Sequence, residues 1–276
     1  MSSPVISFMT DYGLADGFVG VCHGVIARGC PDARVIDLTH EIPRHDVHSG
    51  ALVLAASIEY LPDRAVHLAV VDPGVGSGRR AVALSCESGA RFVGPDNGLL
   101  TAAVQAAGGP ADAVEIDRSP YALPGASATF HGRDLFAPVA AALAAGAALG
   151  EVGEPIEAAS LVALARTHAF REERTLVAHV QYVDQFGNLQ LDAEAADISW
   201  VTAAGTLAVS SFAWDHPPQA IRHGVTFADV AAGELVLYED AHRRPAIAVN
   251  RGSAAQRLGL AVGDELRIGP VGGALR

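Results

Sequence analysis

The chain has 276 residues, enough for one large domain or two small ones with a real core. Half of it is apolar and 18% is charged, which excludes a disordered chain, and a net charge of −12 argues against nucleic acid as the main ligand. All 19 basic residues are arginine, and without lysine there is no lysine Schiff base, no ordinary pyridoxal-phosphate enzyme and no P-loop or kinase lysine.

In chain order, Val5–Met9 reads as an apolar strand that ends in Thr10-Asp11-Tyr12-Gly13. Gly17–Arg28 has helical apolar spacing, Arg34–Leu38 is a second strand, and Val47–Tyr60 a second helix that stops before Pro62. Ala65–Val71 is a strand running into Asp72-Pro73-Gly74, and Ala81–Cys86 with Arg91–Gly94 forms a strand pair. Leu99–Ala107 and Asp134–Ala147 read as helices. The alternation predicts an α/β layer domain over residues 1–165, with a largely parallel sheet. The charged stretch Arg166–Arg174 is the expected linker. Beyond it, short alternating runs at Leu176–Val183, Asn188–Leu191, Thr206–Val209, Leu235–Tyr238, Ala246–Val249 and Glu265–Ile268 predict a small all-β domain over 175–276, a barrel or sandwich.

Cys22, Cys30 and Cys86 are odd in number and lack CxxC spacing, so neither a disulfide framework nor a zinc–cysteine site is expected. The N-terminus has no signal-peptide pattern, and the longest weakly apolar run, Phe136–Gly150, is too short to span a bilayer. The expectation is a soluble cytoplasmic protein without membrane partners.

In an α/β sheet, ligands bind at the carboxyl ends of the strands. Asp11 and Asp72 sit where strands should end, suited either to gripping hydroxyls or to closing an Asx-turn. Gly74-Val75-Gly76-Ser77-Gly78-Arg79-Arg80 lacks Rossmann and P-loop spacing, but its arginines can hold water or an anion beside a carboxylate. His131 precedes a helix, for which Asp134 reads as the N-cap. His40, His45 and His48 imitate a metal motif, yet they have the wrong spacing and Pro43 interrupts them, so no metal site is expected. Asp184-Gln185-Phe186-Gly187-Asn188 is a turn that also offers a ring for stacking and an amide for a purine edge. Asn250-Arg251-Gly252-Ser253-Ala254-Ala255 opens a helical turn with free backbone N–H groups.

Together with Thr39-His40-Glu41-Ile42-Pro43, Gly94-Pro95-Asp96-Asn97-Gly98 and Phe130-His131-Gly132-Arg133-Asp134, these segments occur in the order found in one family. The chain resembles the S-adenosylmethionine (SAM) hydroxide adenosyltransferases, the adenosine-forming SAM hydrolases, which are relatives of the SAM-dependent fluorinase and chlorinase. The likeness runs from about Ile6 to Ile268.

The resemblance implies a Rossmann-like α/β domain followed by a β-barrel. It also implies a homotrimer that holds SAM between the first domain of one subunit and the second domain of its neighbour. Asp11 matches the ribose-binding carboxylate, and Asp72, Arg79 and His131 match the triad that positions and activates water. Asp184, Phe186 and Asn188 match the region around the methionine moiety and adenine, and Ser253 and Ala254 the adenine-edge backbone. SAM is then the substrate, adenosine and L-methionine are the products, and neither cofactor nor metal is required. The retained triad, with no obvious insertion in the first domain, favours water over halide as nucleophile. The competing readings are a non-catalytic adenosine- or SAM-binding protein and a halogenase.

Overall fold

The computed structural model describes residues 3–271 except 166, 203–205, 213, 215 and 216. The chain divides into two compact units, Met1–Leu164 and Ala165–Arg276.

The first unit is built on seven strands: β1 (Val5–Thr10), β2 (Arg34–Thr39), β3 (Val66–Val70), β4 (Ala81–Cys86), β5 (Arg91–Pro95), β6 (Pro110–Glu115) and β7 (Glu154–Ile156), in the order β2-β1-β3-β5-β4-β6-β7. Its helices are α1 (Phe18–Gly29), α2 (Val47–Ser57), α3 (Thr101–Ala106), α4 (Ala137–Ala144) and the short α5 (Leu149–Val152). Side chains of a strand point alternately to the two faces. Ile6, Phe8, Leu68 and Val70 therefore join one apolar cluster with residues of α1 and α4. Met9 and Ala69, one position along, join the opposite cluster with Leu54 of α2 and Val104 of α3. Burial on both faces explains why β1 and β3 are nearly continuous apolar runs.

The sheet is parallel only across β2-β1-β3-β5; β4, β6 and β7 are antiparallel to their neighbours. The expectation of a largely parallel sheet is corrected accordingly. The β4–β5 hairpin reverses the chain too tightly for a helical crossover.

The predicted helix from Asp134 begins instead as a π-helical turn, Gly132–Phe136, in which Ala137 N–H donates to Gly132 C=O. Pro138 cannot donate to the Asp134 carbonyl, which accepts from Leu123 N–H at 2.8 Å. Asp134 is thus inside the turn and is not an N-cap. Its carboxylate accepts from Arg133 Nε at 2.6 Å and Nη2 at 2.8 Å, and from Ser127 N–H at 2.8 Å.

The second unit contains β8 (Phe170–Glu172), β9 (Thr175–Val183), β10 (Leu189–Leu191), α6 (Ala195–Thr202), β11 (Leu207–Ser210), β12 (Gln219–His223), β13 (Leu235–Glu239), β14 (Pro245–Val249), α7 (Ala254–Leu258) and β15 (Glu265–Pro270). The order β10-β14-β13-β12-β11-β15-β9 closes on itself through β9–β10, giving a seven-stranded barrel with β8 outside it on β9. Alternate residues fill the barrel: Leu176, Ala178 and Val180; Leu207 and Val209; Leu235 and Leu237; Leu266 and Ile268. The fold is an α/β unit followed by a β-barrel unit. The stretch read as a linker carries β8 in its middle, and Arg166 lies outside the described residues. No helix among the described residues is long and apolar enough to cross a membrane.

Candidate active site

β1 and β3 are parallel neighbours in register, Thr10 opposite Val70. The residues just past their carboxyl ends, Asp11 and Asp72, therefore emerge side by side. Both line a cleft of about 620 Å³, together with Tyr12, Asp16, Phe18, Arg44, His45, Phe130 and His131.

Asp72 is nearly buried and so is Arg79, the residue that reaches it from the loop before β4. Arg79 Nε donates to Asp72 Oδ1 at 2.9 Å and to Oδ2 at 3.1 Å, and Nη2 donates to Oδ2 as well. The same Nη2 lies 3.1 Å from His131 Nδ1. A guanidinium cannot accept a hydrogen bond, so His131 Nδ1 is the acceptor and the ring is neutral with its proton on Nε2. The Arg79 guanidinium also rests over the Phe136 ring, 5.2 Å from its centroid. Its Nη1 is buried without a hydrogen-bond partner among the described residues. The three triad residues predicted from sequence thus form one network.

Asp11 has a different setting. Its Oδ2 accepts from the backbone N–H of His45 at 2.9 Å, and His45 adopts φ +67 in the left-handed region. This contact fixes the carboxylate at the wall of the cleft and leaves Oδ1 for another donor.

Tyr12, in the Thr10–Gly13 segment, lines the cleft as well and has no functional reading from sequence. Burial pushes its phenol well above the ordinary value, with Cys22, Asp11 and Asp72 adding in the same direction. Its hydroxyl occupies the place where a Cβ on residue 132 would stand, so only glycine fits there. Its ring meets Phe18 and Phe130 edge-on at 6.0 and 5.8 Å. Asp16 in the loop between β1 and α1, Phe18 at the start of α1 and Arg44 between β2 and α2 have no functional reading in the sequence, and His45 has only the rejected metal one, because turn and helix-start residues carry no local signal of a cleft.

On the barrel unit a second cleft of about 820 Å³ is lined by residues including Tyr182, Asp184, Phe186, Asn188, Tyr238, Asn250 and Arg251. Asp184 organises the turn: Oδ1 accepts from the N–H groups of Phe186 and Asn188, both at 2.9 Å, and Oδ2 from Asn188 Nδ2 at 2.7 Å. Phe186 is thereby held 68% exposed at the edge of this cleft. Among the described residues, no hydrogen bond engages the Asn188 side-chain carbonyl oxygen. Ser253 caps α7 by accepting from Gln256 N–H at 3.1 Å, and Ala254 is fully buried. Neither lines the cleft, whose wall is made by Asn250, Arg251 and Gly252 just before them. Gly187 packs against Ser253, and Ala255 N–H donates to Gly187 C=O at 2.9 Å, so the two predicted segments support each other.

His40, His45 and His48 do not converge among the described residues: His45 faces the cleft, while His40 pairs with Asp37.

The sequence profile of the SAM hydroxide adenosyltransferase N-terminal domain matches residues 6–153, and that of the C-terminal domain matches residues 178–267. The chain is 49% identical to an (R)-S-adenosyl-L-methionine hydrolase of Salinispora tropica, over 96% of this chain and 98% of that one. It is 38% identical to the enzyme of the same name from Thermus thermophilus, over 95% and 98%. A fluorinase of an Actinoplanes species is 28% identical over 95% and 96%. Among solved structures, an uncharacterized conserved protein from Thermotoga maritima superposes with a TM-score of 0.86 at 35% identity, over 96% of this chain and 99% of that one. With both profiles matched in order along most of its length, the chain belongs to the SAM hydroxide adenosyltransferase family.

Proposed function

We propose that this protein is an enzyme that hydrolyses S-adenosyl-L-methionine to adenosine and L-methionine, by in-line attack of water on C5′. The observation that carries the reading is the buried Arg79 held between Asp72 and His131, at a cleft that also contains Asp11. The relatives' names specify the (R) form of SAM, and we extend that preference to this chain.

The chemistry follows from the substrate. A sulfonium leaves as neutral methionine, so departure needs neither an acid nor a Lewis acid. Water is the poor partner until it loses a proton. His131, with Nδ1 engaged by Arg79, presents Nε2–H as a donor that orients the water oxygen. Asp72 is the nearby carboxylate that can take the proton, a contribution of roughly 10²–10⁴-fold. Arg79, bonded to both Asp72 and His131, holds the two in place, and its positive charge behind them favours hydroxide character as it develops. Asp11, fixed by His45 N–H, holds the ribose hydroxyls so that C5′ faces the water. On the barrel, exposed Phe186 and the Asn188 amide are assigned to the methionine moiety and adenine, with the backbone near Ser253 and Ala254 at the adenine edge.

The assembled form in this reading is a homotrimer in which the α/β unit of one subunit and the barrel of its neighbour grip one SAM. A cytoplasmic setting belongs to the same proposal and is supported by three cysteines that are free and buried. A pure SAM-binding protein would need the ribose and adenine contacts but not a buried Arg–Asp–His network, which is why the catalytic reading is preferred.

The test is chromatography of SAM incubated with the pure protein, using both sulfonium epimers. Equal release of adenosine and methionine with preferential loss of the (R) form is expected. Intact SAM after many enzyme equivalents would sink the reading.

A further inference from the structure

Away from the cleft, α1 and β2 bring three further ligating groups together. His23 lies on α1, and Asp37 and His40 lie at the end of β2 and just beyond it. Their ligand atoms all fall within 4.8 Å of one another. We propose that His23 Nε2, Asp37 Oδ1 and His40 Nε2 form a binding site for a divalent first-row ion of the zinc class.

The geometry is that of a prepared face. His23 Nε2 stands 2.9 Å from Asp37 Oδ1, and His40 Nε2 stands 3.0 Å from the same oxygen. Ligands bonded to one ion at about 2.0–2.1 Å lie about 3 Å apart, so little movement admits the metal. Two nitrogens and one carboxylate oxygen suit zinc better than magnesium or calcium, which prefer oxygen throughout. Water completes the coordination from the open side, where Asp37 is half-exposed.

The inner ligand is supported from behind. His40 is almost fully buried, its Nδ1 lies 2.9 Å from Thr10 Oγ1, and its ring meets Phe8 edge-on at 4.7 Å. Such an outer hydrogen bond fixes the ring and its tautomer in metal sites. Without metal, both Nε2–H groups donate to Asp37 Oδ1. With metal, each imidazole carries its proton on Nδ1 instead, and for His40 that proton goes to Thr10 Oγ1.

The bound ion would staple α1 to the end of β2. It would also reach the substrate loop at one remove, since Thr10 Oγ1 accepts from Tyr12 N–H at 3.2 Å and His40 C=O from Gly13 N–H at 2.7 Å. None of the three ligands lines the cleft, so the ion would be structural and would not touch the substrate. This inference is independent of the hydrolase reading.

The test uses tag-free protein, dialysed against chelator and titrated calorimetrically with zinc. One equivalent is expected to bind the wild type, and His23→Ala and Asp37→Ala are each expected to weaken that binding at least tenfold. Both positions are partly exposed, so the variants should fold, and circular dichroism checks it. Saturating zinc should raise the wild-type melting temperature by about 3 °C or more and leave His23→Ala unmoved. Cobalt in place of zinc should give visible absorption bands that the His23→Ala protein lacks. Absence of stoichiometric binding, or binding equally tight in both variants, overturns the site.

Discussion

Arg79 donates to His131 Nδ1 at 3.1 Å while its Nε and Nη2 hold the Asp72 carboxylate. One arginine therefore sets the tautomer of the histidine and the position of the acid residue together. Arg79→Ala should lower kcat roughly 10²–10⁴-fold, with a smaller change in KM, and Asp72→Ala and His131→Ala should behave alike. Arg79→Lys should not restore activity, because an ammonium cannot reproduce the fork that spans both partners. Steady-state kinetics on the four variants measure this. Wild-type turnover in all of them would remove the triad from the mechanism.

Asp11 is expected to act on the ground state. Its partners are ribose hydroxyls present in substrate and product alike, so Asp11→Ala should weaken adenosine binding by about tenfold or more. Calorimetry with adenosine reads this directly. Unchanged affinity would remove the ribose role.

The close approach of Tyr12 to Gly132 makes a prediction of its own. Gly132→Ala places a methyl group on the Tyr12 hydroxyl and must shift either that ring or the π-helical turn behind His131. Turnover should fall sharply, and the double variant Gly132→Ala with Tyr12→Phe, which removes the oxygen, should recover part of it. A fully active Gly132→Ala protein would show that the turn tolerates displacement.

Some of this was legible in the sequence and some was not. β1, β3 and β4 are apolar runs stopped by turn residues, and their predicted limits fall within one residue of the observed ones. β7, β8 and β12 escaped because they bury so little: β8 is exposed throughout, and β12 fully buries only Ile221. β6 opens with Pro110 and carries Asp112 in its middle, which hides its period. Asp11 and Asp72 stand out as strand-end carboxylates, Arg79 by its glycine-rich loop and His131 by its place before a helix, but what the four would do together came only from the family resemblance. The pairing of Tyr12 with Gly132, and of His23 with Asp37, depends on helix–sheet packing that no local pattern encodes.

His67 on β3 gives a pH dependence of stability. It is buried, with Nδ1 2.8 Å from Ser7 Oγ, and burial lowers its pKa from 6.5 to about 4. As pH falls below about 6.5, the unfolded chain takes up a proton that the folded chain refuses. The stability present at neutral pH is therefore lost progressively between about pH 6.5 and 4, by about 3 kcal/mol at most. Urea midpoints for wild type and His67→Gln across this range provide the measure. The wild type should show the steeper acid loss, and identical slopes would contradict the assignment.

The central claim is that water, and not halide, attacks C5′. Asp72 argues for it: at about 4 Å, like unit charges cost on the order of 4 kcal/mol at an effective dielectric near 20, which Arg79 offsets only in part. Water meets no such penalty and gains a proton acceptor. The most direct measurement is mass spectrometry of the nucleoside formed from SAM in oxygen-18 water containing high chloride. Adenosine carrying the heavy oxygen at C5′ is the predicted product; 5′-chloro-5′-deoxyadenosine as the main product, or adenosine without the label, would contradict the account.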